Sequence, residues 1–261
     1  MSEEQVVEAP PVLSERRGRV LLITLNRPQV RNAVNAALAE GVGNALEELD
    51  ADESLAVGVL TGAGGYFSAG MDLGAFVRGE SPWYGDRGFA GIAQRSARKP
   101  LIAAIEGFAL AGGLEIALAC DLIVAARDAR MGIPEAKRSL VAAGGALLRM
   151  PRRMPYHVVM ELALTGDPLP AEQFERFGLV NRLAEPGRAV EVALELAGRL
   201  AGNGPLALIA SKQILREQLD WKTTEMWERQ AAISGPVFAS EDAKEGAAAF
   251  KEKREPVWRG R

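Results

Sequence analysis

The chain has 261 residues, 48% of them hydrophobic and 25% charged, an ordinary composition for a folded protein able to bury a full core. A net charge of −3 with mixed signs gives no reason to expect nucleic acid or a membrane surface as partner. The single cysteine, Cys120, excludes an intramolecular disulfide and a cysteine metal cluster, and it reads as a small buried hydrophobe. The opening MSEEQVVEAPPVLSERR has no apolar signal core, and no later run reaches spanning length, so the expected location is the cytoplasm.

After a first dozen residues expected to be mobile, Val12–Arg17 and Val20–Leu25 read as strands around Gly18, stopped by Asn26-Arg27-Pro28. Leu38, Val42, Leu46 and Leu49 recur at steps of four, four and three, predicting a helix from Asn35. Ala56–Leu60 is a buried strand ending in Thr61-Gly62-Ala63-Gly64-Gly65. That loop lacks the Gly-Lys-Ser/Thr of a phosphate loop and the spacing of a dinucleotide fingerprint, so both nucleotide readings are rejected. Tyr66–Leu73 runs into a turn of helix, and the loop Gly79–Asp86 precedes a stretch read as helical. Leu101–Ile105 and Leu122–Ala126 are strands on either side of a turn and a helix. Ala142-Ala143-Gly144-Gly145 opens another helix, and Leu179–Leu183 is a short apolar run. Val190, Ala193, Leu194, Ala197 and Leu200 mark an amphipathic helix stopped by Gly202-Asn203-Gly204, and Pro205 suits the first position of the next. From there to Phe250 the pattern is helical. Strands alternating with helices favour an α/β class.

The stretch Ile105–Asp121, IEGFALAGGLEIALACD, concentrates what chemistry would need. Ala111, Leu114, Ala117 and Leu118 fall on one helical face, so Gly112-Gly113 stands near a helix N-terminus, where N–H groups lack intrahelical partners. Glu115 follows within one turn. Free donors beside a carboxylate suit a developing oxyanion and a moving proton. The same pattern also fits an ordinary helix start with an acid favoured by the dipole. Pro134-Glu135 brings a second carboxylate, and a glutamate there also fits a surface position. Lys137-Arg138 reads as a solvated face, with binding of a polar acyl group as the alternative. His157 has no cysteine or serine motif to pair with and reads as structural.

Several of these segments, in order and at matching spacing, resemble the crotonase (enoyl-CoA hydratase/isomerase) superfamily. They are Phe67-Ser68-Ala69-Gly70-Met71-Asp72-Leu73, then Gly107-x-Ala-x-Ala-Gly-Gly-Leu-Glu115, then Pro134-Glu135. Leu25-Asn26-Arg27-Pro28, Leu164-Thr165-Gly166, Gly178-Leu179-Val180 and the tail from Ser240 to Arg254 extend the likeness over almost the whole chain.

The resemblance implies a crotonase-type spiral of ββα units, with residues 1–200 as an acyl-CoA-binding core. Residues 201–261 would be a helical C-terminal region that builds a homotrimer or a hexamer of paired trimers. It implies an acyl-CoA substrate, with coenzyme A part of that substrate and neither metal nor separate cofactor. The backbone N–H groups of Met71 and Gly112 would hold the thioester oxygen. Ala69, Asp72 and Leu73 would lie against adenine, and Phe250 and Lys253 would reach the nucleotide of a neighbouring subunit. Members that add or remove water resemble one another in carrying two glutamates, here Glu115 and Glu135. The implied activity is reversible hydration of a 2-enoyl-CoA, with Glu115 ionised by its helix N-terminus to activate water and Glu135 giving the proton to the α-carbon. An isomerase or other acyl-CoA lyase, and an acyl-CoA-binding protein without turnover, are the alternatives. Two departures stand out: Ala111 where the family has a first glycine, and a segment after Glu135 one residue shorter and without its Pro-Gly. The stretch 74–97, with Trp83 and Tyr84, is expected to line or cover the acyl pocket.

Overall fold

The computed structural model describes residues 9–261; the expected mobility of residues 1–8 lies outside the described residues. Strands β1 (Val12–Arg17) and β2 (Val20–Leu25) form an antiparallel hairpin over Gly18, whose φ of +61° the turn requires. β2 is apolar except at Thr24 because both its faces are covered. Leu21, Ile23 and Leu25 enter one core, and Val20 and Leu22 enter another on the opposite face. Asn35 caps α1 (Ala36–Ala51), its side chain accepting the Leu38 N–H at 3.1 Å. Leu38, Val42, Leu46 and Leu49 are the buried stripe of that helix, as their spacing predicts.

β3 (Val57–Gly62) pairs in parallel with β2 and leads to the single-turn α2 (Leu73–Val77). The stretch read as helical beyond Asp86 is not a helix. Two short strands, β4 (Trp83–Tyr84) and β5 (Gly88–Phe89), make a hairpin, and turns follow to residue 99. Gly88, Ala90 and Gly91 have φ of +72°, +55° and +69°, so a right-handed helix cannot propagate through them. A Cβ on Gly91 would lie 2.1 Å from the Ala39 carbonyl oxygen, so this loop presses directly on α1.

Next come β6 (Leu101–Ile105), β7 (Phe108–Leu110), α3 (Gly112–Ala119), β8 (Leu122–Ala126) and β9 (Arg130–Gly132). A 3₁₀ turn, Pro134–Arg138, precedes α4 (Ala146–Arg149), α5 (Tyr156–Thr165), β10 (Leu169–Pro170), α6 (Ala171–Arg176) and β11 (Arg182–Ala184). The main sheet runs β1-β2-β3-β6-β8-β11, parallel beyond the first hairpin, and a small second sheet runs β10-β9-β7. Helix α7 (Ala189–Ala201) covers one face of the main sheet with Ala189, Ala193, Ala197 and Ala201. α8 (Pro205–Glu217), α9 (Met226–Ala239) and α10 (Glu241–Glu252) complete the chain. Lys212 of α8 joins this helical part to the core, donating to the Lys99 carbonyl at 2.8 Å and pairing with Asp121.

β6 with β7, and β8 with β9, place successive strands in different sheets, and each pair ends in a helical turn bearing a glutamate. This is the repeated ββα step expected from the resemblance, and the fold is of the crotonase type. β7 itself was legible only as a turn. α3 differs too: all eight of its residues are buried, so it has no solvent face, and Glu115 is inside the protein.

Candidate active site

Two isolated bridges outside the sheets set the site. Ser68 pairs in parallel with Ala109, and Val34 with Met71. The second bridge uses the Gly70 carbonyl (2.8 Å from the Val34 N) and the Asp72 N–H (2.9 Å from the Val34 O). Because successive peptide groups point to opposite sides of an extended strand, the Met71 N–H faces away from that pairing. Three residues on from the Ser68–Ala109 bridge, the two segments reach Met71 and Gly112. Gly70, at φ +90°, lies so close that a Cβ there would be 2.7 Å from the Gly112 N. Among the described residues neither the Met71 nor the Gly112 N–H has a backbone acceptor outside its own element. Gly112 is the first residue of α3, where no intrahelical acceptor exists.

The glycines are needed for protein as much as for ligand. A Cβ on Gly112 would sit 2.5 Å from the Phe89 ring, and one on Gly113 would sit 2.2 Å from the Ser68 carbonyl. Ala111 holds φ +51° and ψ −128°, a strained conformation for alanine, anchored by its N–H to the Gly132 carbonyl at 2.9 Å. Beneath these turns is Asn32, fully buried. Its amide donates to the Ala63 and Tyr66 carbonyls, its side-chain oxygen accepts the Arg27 N–H, and its carbonyl accepts the Ser68 hydroxyl. Ser68 Oγ in turn accepts the Gly70 N–H at 3.1 Å.

Glu115 and Glu135 line one cavity of about 350 Å³. Glu115 is 3% exposed, and its Oε1 accepts the Ala146 N–H at 3.1 Å. A Cβ on Gly144 would lie 2.5 Å from Glu115 Oε2, so that backbone is also packed onto the carboxylate. Burial pushes the Glu115 carboxyl above its ordinary range, against the pull of backbone donors at Ala146, Gly144 and Gly145 and the charge of Arg149. The backbone donors that favour its charged form are not those of its own helix N-terminus. The donors belong to α4 and the turn before it, and burial outweighs them. Burial, with the neighbouring charge of Glu115, pushes Glu135 up to about 7, and its buried Oε2 has no hydrogen-bond partner.

Ala69, Met71, Leu73 and Gly112 line the same cavity as the glutamates. Asp72 does not. Its carboxylate accepts the Ala75 N–H at 3.0 Å as the N-cap of α2, and Arg27 donates to it at 3.0 Å. These contacts hold its carboxyl below the ordinary range. Phe250 and Lys253 do not line the cavity: Phe250 is 88% exposed on α10, and Lys253 ends that helix at φ +56°. Trp83 and Phe89 line the cavity, their rings meeting edge to face at 5.4 Å, whereas the Tyr84 hydroxyl is hydrogen-bonded to Asn44 of α1. Cys120 is buried and His157 is exposed on α5, outside the site. Sequence reasoning did not single out Asn32, Phe89 or Arg31; Arg138, read as a solvated charge with binding of a polar acyl group as the alternative, is exposed, and both it and Arg31 line the cavity. Among the described residues no cluster of histidine, cysteine or carboxylate side chains could hold a metal ion, and no helix is long and apolar enough to cross a membrane.

The model of the family described as enoyl-CoA hydratase/isomerase matches residues 15–261. The chain belongs to that family. It is 41% identical to an enoyl-CoA hydratase of Mycobacterium tuberculosis, over 98% of this chain and 99% of the relative. It is also 41% identical to the carnitinyl-CoA dehydratase of Salmonella typhimurium, over 94% of this chain and 97% of that one. Among solved structures, an enoyl-CoA hydratase from Mycobacterium tuberculosis superposes with a TM-score of 0.95 at 56% identity, covering 97% of this chain and all of the other. A carnitinyl-CoA hydratase from Mycobacterium avium gives 0.77 at 44% identity, again over 97% of this chain and all of the other.

Proposed function

We propose that this protein adds water reversibly across the 2,3 double bond of a 2-enoyl-CoA thioester, giving the 3-hydroxyacyl-CoA. The observation that supports it is one cavity holding two carboxylates, both raised by burial, beside two unpaired backbone donors. The thioester oxygen accepts from the Met71 and Gly112 N–H groups. Ionised Glu115 takes a proton from water as the water oxygen bonds to C3, and the electron pair of the double bond moves to the thioester oxygen as an enolate. Protonated Glu135 then gives its proton to C2. One proton passing from Glu115 back to Glu135 resets the pair. Each oxyanion donor supplies about 3–4 kcal/mol in such a site. Run backwards, the same groups remove water.

In this reading Ala69, Leu73 and the backbone of Asp72 receive adenine, the Asp72 carboxylate being committed to Arg27 and Ala75. Residues 201–261 assemble a homotrimer, alone or paired as a hexamer, and bring exposed Phe250 and Lys253 to a neighbour's nucleotide. The test is loss of enoyl absorbance on a panel of 2-enoyl-CoA thioesters, with Glu115→Gln and Glu135→Gln beside wild type. Each substitution should lower the rate by about a hundredfold or more, the range for losing a general acid or base. A wild type that moves the double bond without adding water, or a substitution that leaves hydration intact, overturns this mechanism.

A further inference from the structure

A 3₁₀ helix has three residues per turn, so Glu135 and Arg138, three apart in Pro134–Arg138, project from the same face. Both line the cavity, and the Arg138 charge pulls the Glu135 carboxyl down, the smallest of the influences on it. Lys137 beside it is tied to Asp167. Arg138, by contrast, appears in none of the side-chain hydrogen bonds or ion pairs among the described residues. The same cavity is also lined by the apolar side chains of Leu140, Val141, Trp83 and Phe89. Arg31 is a second arginine at the cavity, but it stands with Ala69 and Leu73, its carbonyl accepting the Ala69 N–H at 3.0 Å. That is the part of the site proposed for the nucleotide, where phosphates would occupy it.

A free guanidinium at the same cavity as the glutamate proposed to donate the proton has no use for a hydrocarbon chain. Its planar fork of donors fits a carboxylate. We infer that the acyl groups this site takes best carry a second carboxylate at their far end, and that Arg138 selects them. The inference rests on the acyl-CoA reading above. An acyl group with a fixed positive charge is disfavoured by the same residue.

The test uses saturated thioesters that cannot be hydrated, so binding is read without turnover: glutaryl-CoA against its ω-amide, of equal size but neutral, by calorimetric titration. Wild type should bind glutaryl-CoA about tenfold tighter, the order that a charge-assisted hydrogen bond supplies. Arg138→Leu should bring the ratio to about one, and Arg138→Lys should keep part of the preference. Arg31→Leu should weaken both thioesters alike and leave the ratio standing. A wild-type ratio of one, a ratio unchanged in Arg138→Leu, or an equal loss for both thioesters in Arg138→Leu each overturns the assignment; the last would place Arg138 on the phosphates of coenzyme A. If neither thioester binds wild type, the acyl-CoA reading itself fails. Arg138 is exposed, so melting temperature serves as the check that its variants fold.

Discussion

Gly70→Ala tests the oxyanion donors without touching a carboxylate. Two separate costs follow from the geometry. At φ +90° an alanine is strained by about 1–2 kcal/mol. Its Cβ would also sit 2.7 Å from the Gly112 N, 2.9 Å from the Ala111 Cβ and 3.0 Å from the Leu110 carbonyl oxygen, backbone and packed atoms that must shift. Overpacking of that kind costs a further 1–3 kcal/mol or so. Gly178→Ala separates the two effects. Gly178 has φ +80° with nothing within 4 Å of an added Cβ, and it lies outside the cavity lining. It should therefore show the backbone strain alone, lowering the melting temperature by about 2–8 °C with kcat preserved. Gly70→Ala should melt lower still and lose about a hundredfold or more in kcat, because the displaced atom is a proposed oxyanion donor. The assay is enoyl-CoA hydration beside thermal unfolding for both variants. A folded Gly70→Ala with wild-type kcat would refute the assignment of Gly112 as a donor.

Glu135 should also write itself into the pH dependence of stability. Its carboxyl rises from 4.5 to about 7 on folding, so between those values the folded protein keeps a proton that the unfolded chain has released. The native state then binds more protons, and stability falls as pH rises through that window; the contribution is whole below 4.5 and gone above about 7. Urea midpoints should therefore drop more steeply from pH 5 to pH 8 in wild type than in Glu135→Gln, and parallel curves would refute the shift. Ala111→Gly should relieve a strained backbone worth about 1–3 kcal/mol, less about 0.5–1 kcal/mol for the added freedom of glycine in the unfolded chain. A melting temperature a few degrees higher is the expected result, and a lower one would show that Ala111 is not strained.

Most of the scaffold was legible because its strands are buried on both faces. Val20–Leu25, Leu101–Ile105 and Leu122–Ala126 read as continuous or nearly continuous apolar runs, and burial keeps them so. What escaped had no period to read. β7 is three residues long, and the turns after Asp86 depend on three positive φ values, one of them at an alanine. The two glutamates stood out through the resemblance, but the origin of their acidity did not. Which helix end reaches Glu115 is a tertiary fact, decided by Gly144 and Ala146 about thirty residues away in sequence. Asp72 drew notice as part of a binding turn, and its carboxylate proved to hold the turn itself. Arg138 read as a solvated charge because a run of Lys-Arg does so in most helices. It is indeed exposed, and the threefold winding of its short turn sets it on the same face as Glu135, at the cavity.

The donors proposed for the thioester oxygen belong to peptide groups, not to side chains. An alanine scan would pass over them: Met71→Ala keeps its N–H, and the scan would score the position as tolerant. It would instead indict Gly70, which contributes no atom to the reaction. Only a change in the backbone itself, such as an ester in place of the amide at Met71, would expose the donor directly. The information for this half of the chemistry is written in the route the chain takes, so it can survive extensive drift in the residues that line the site.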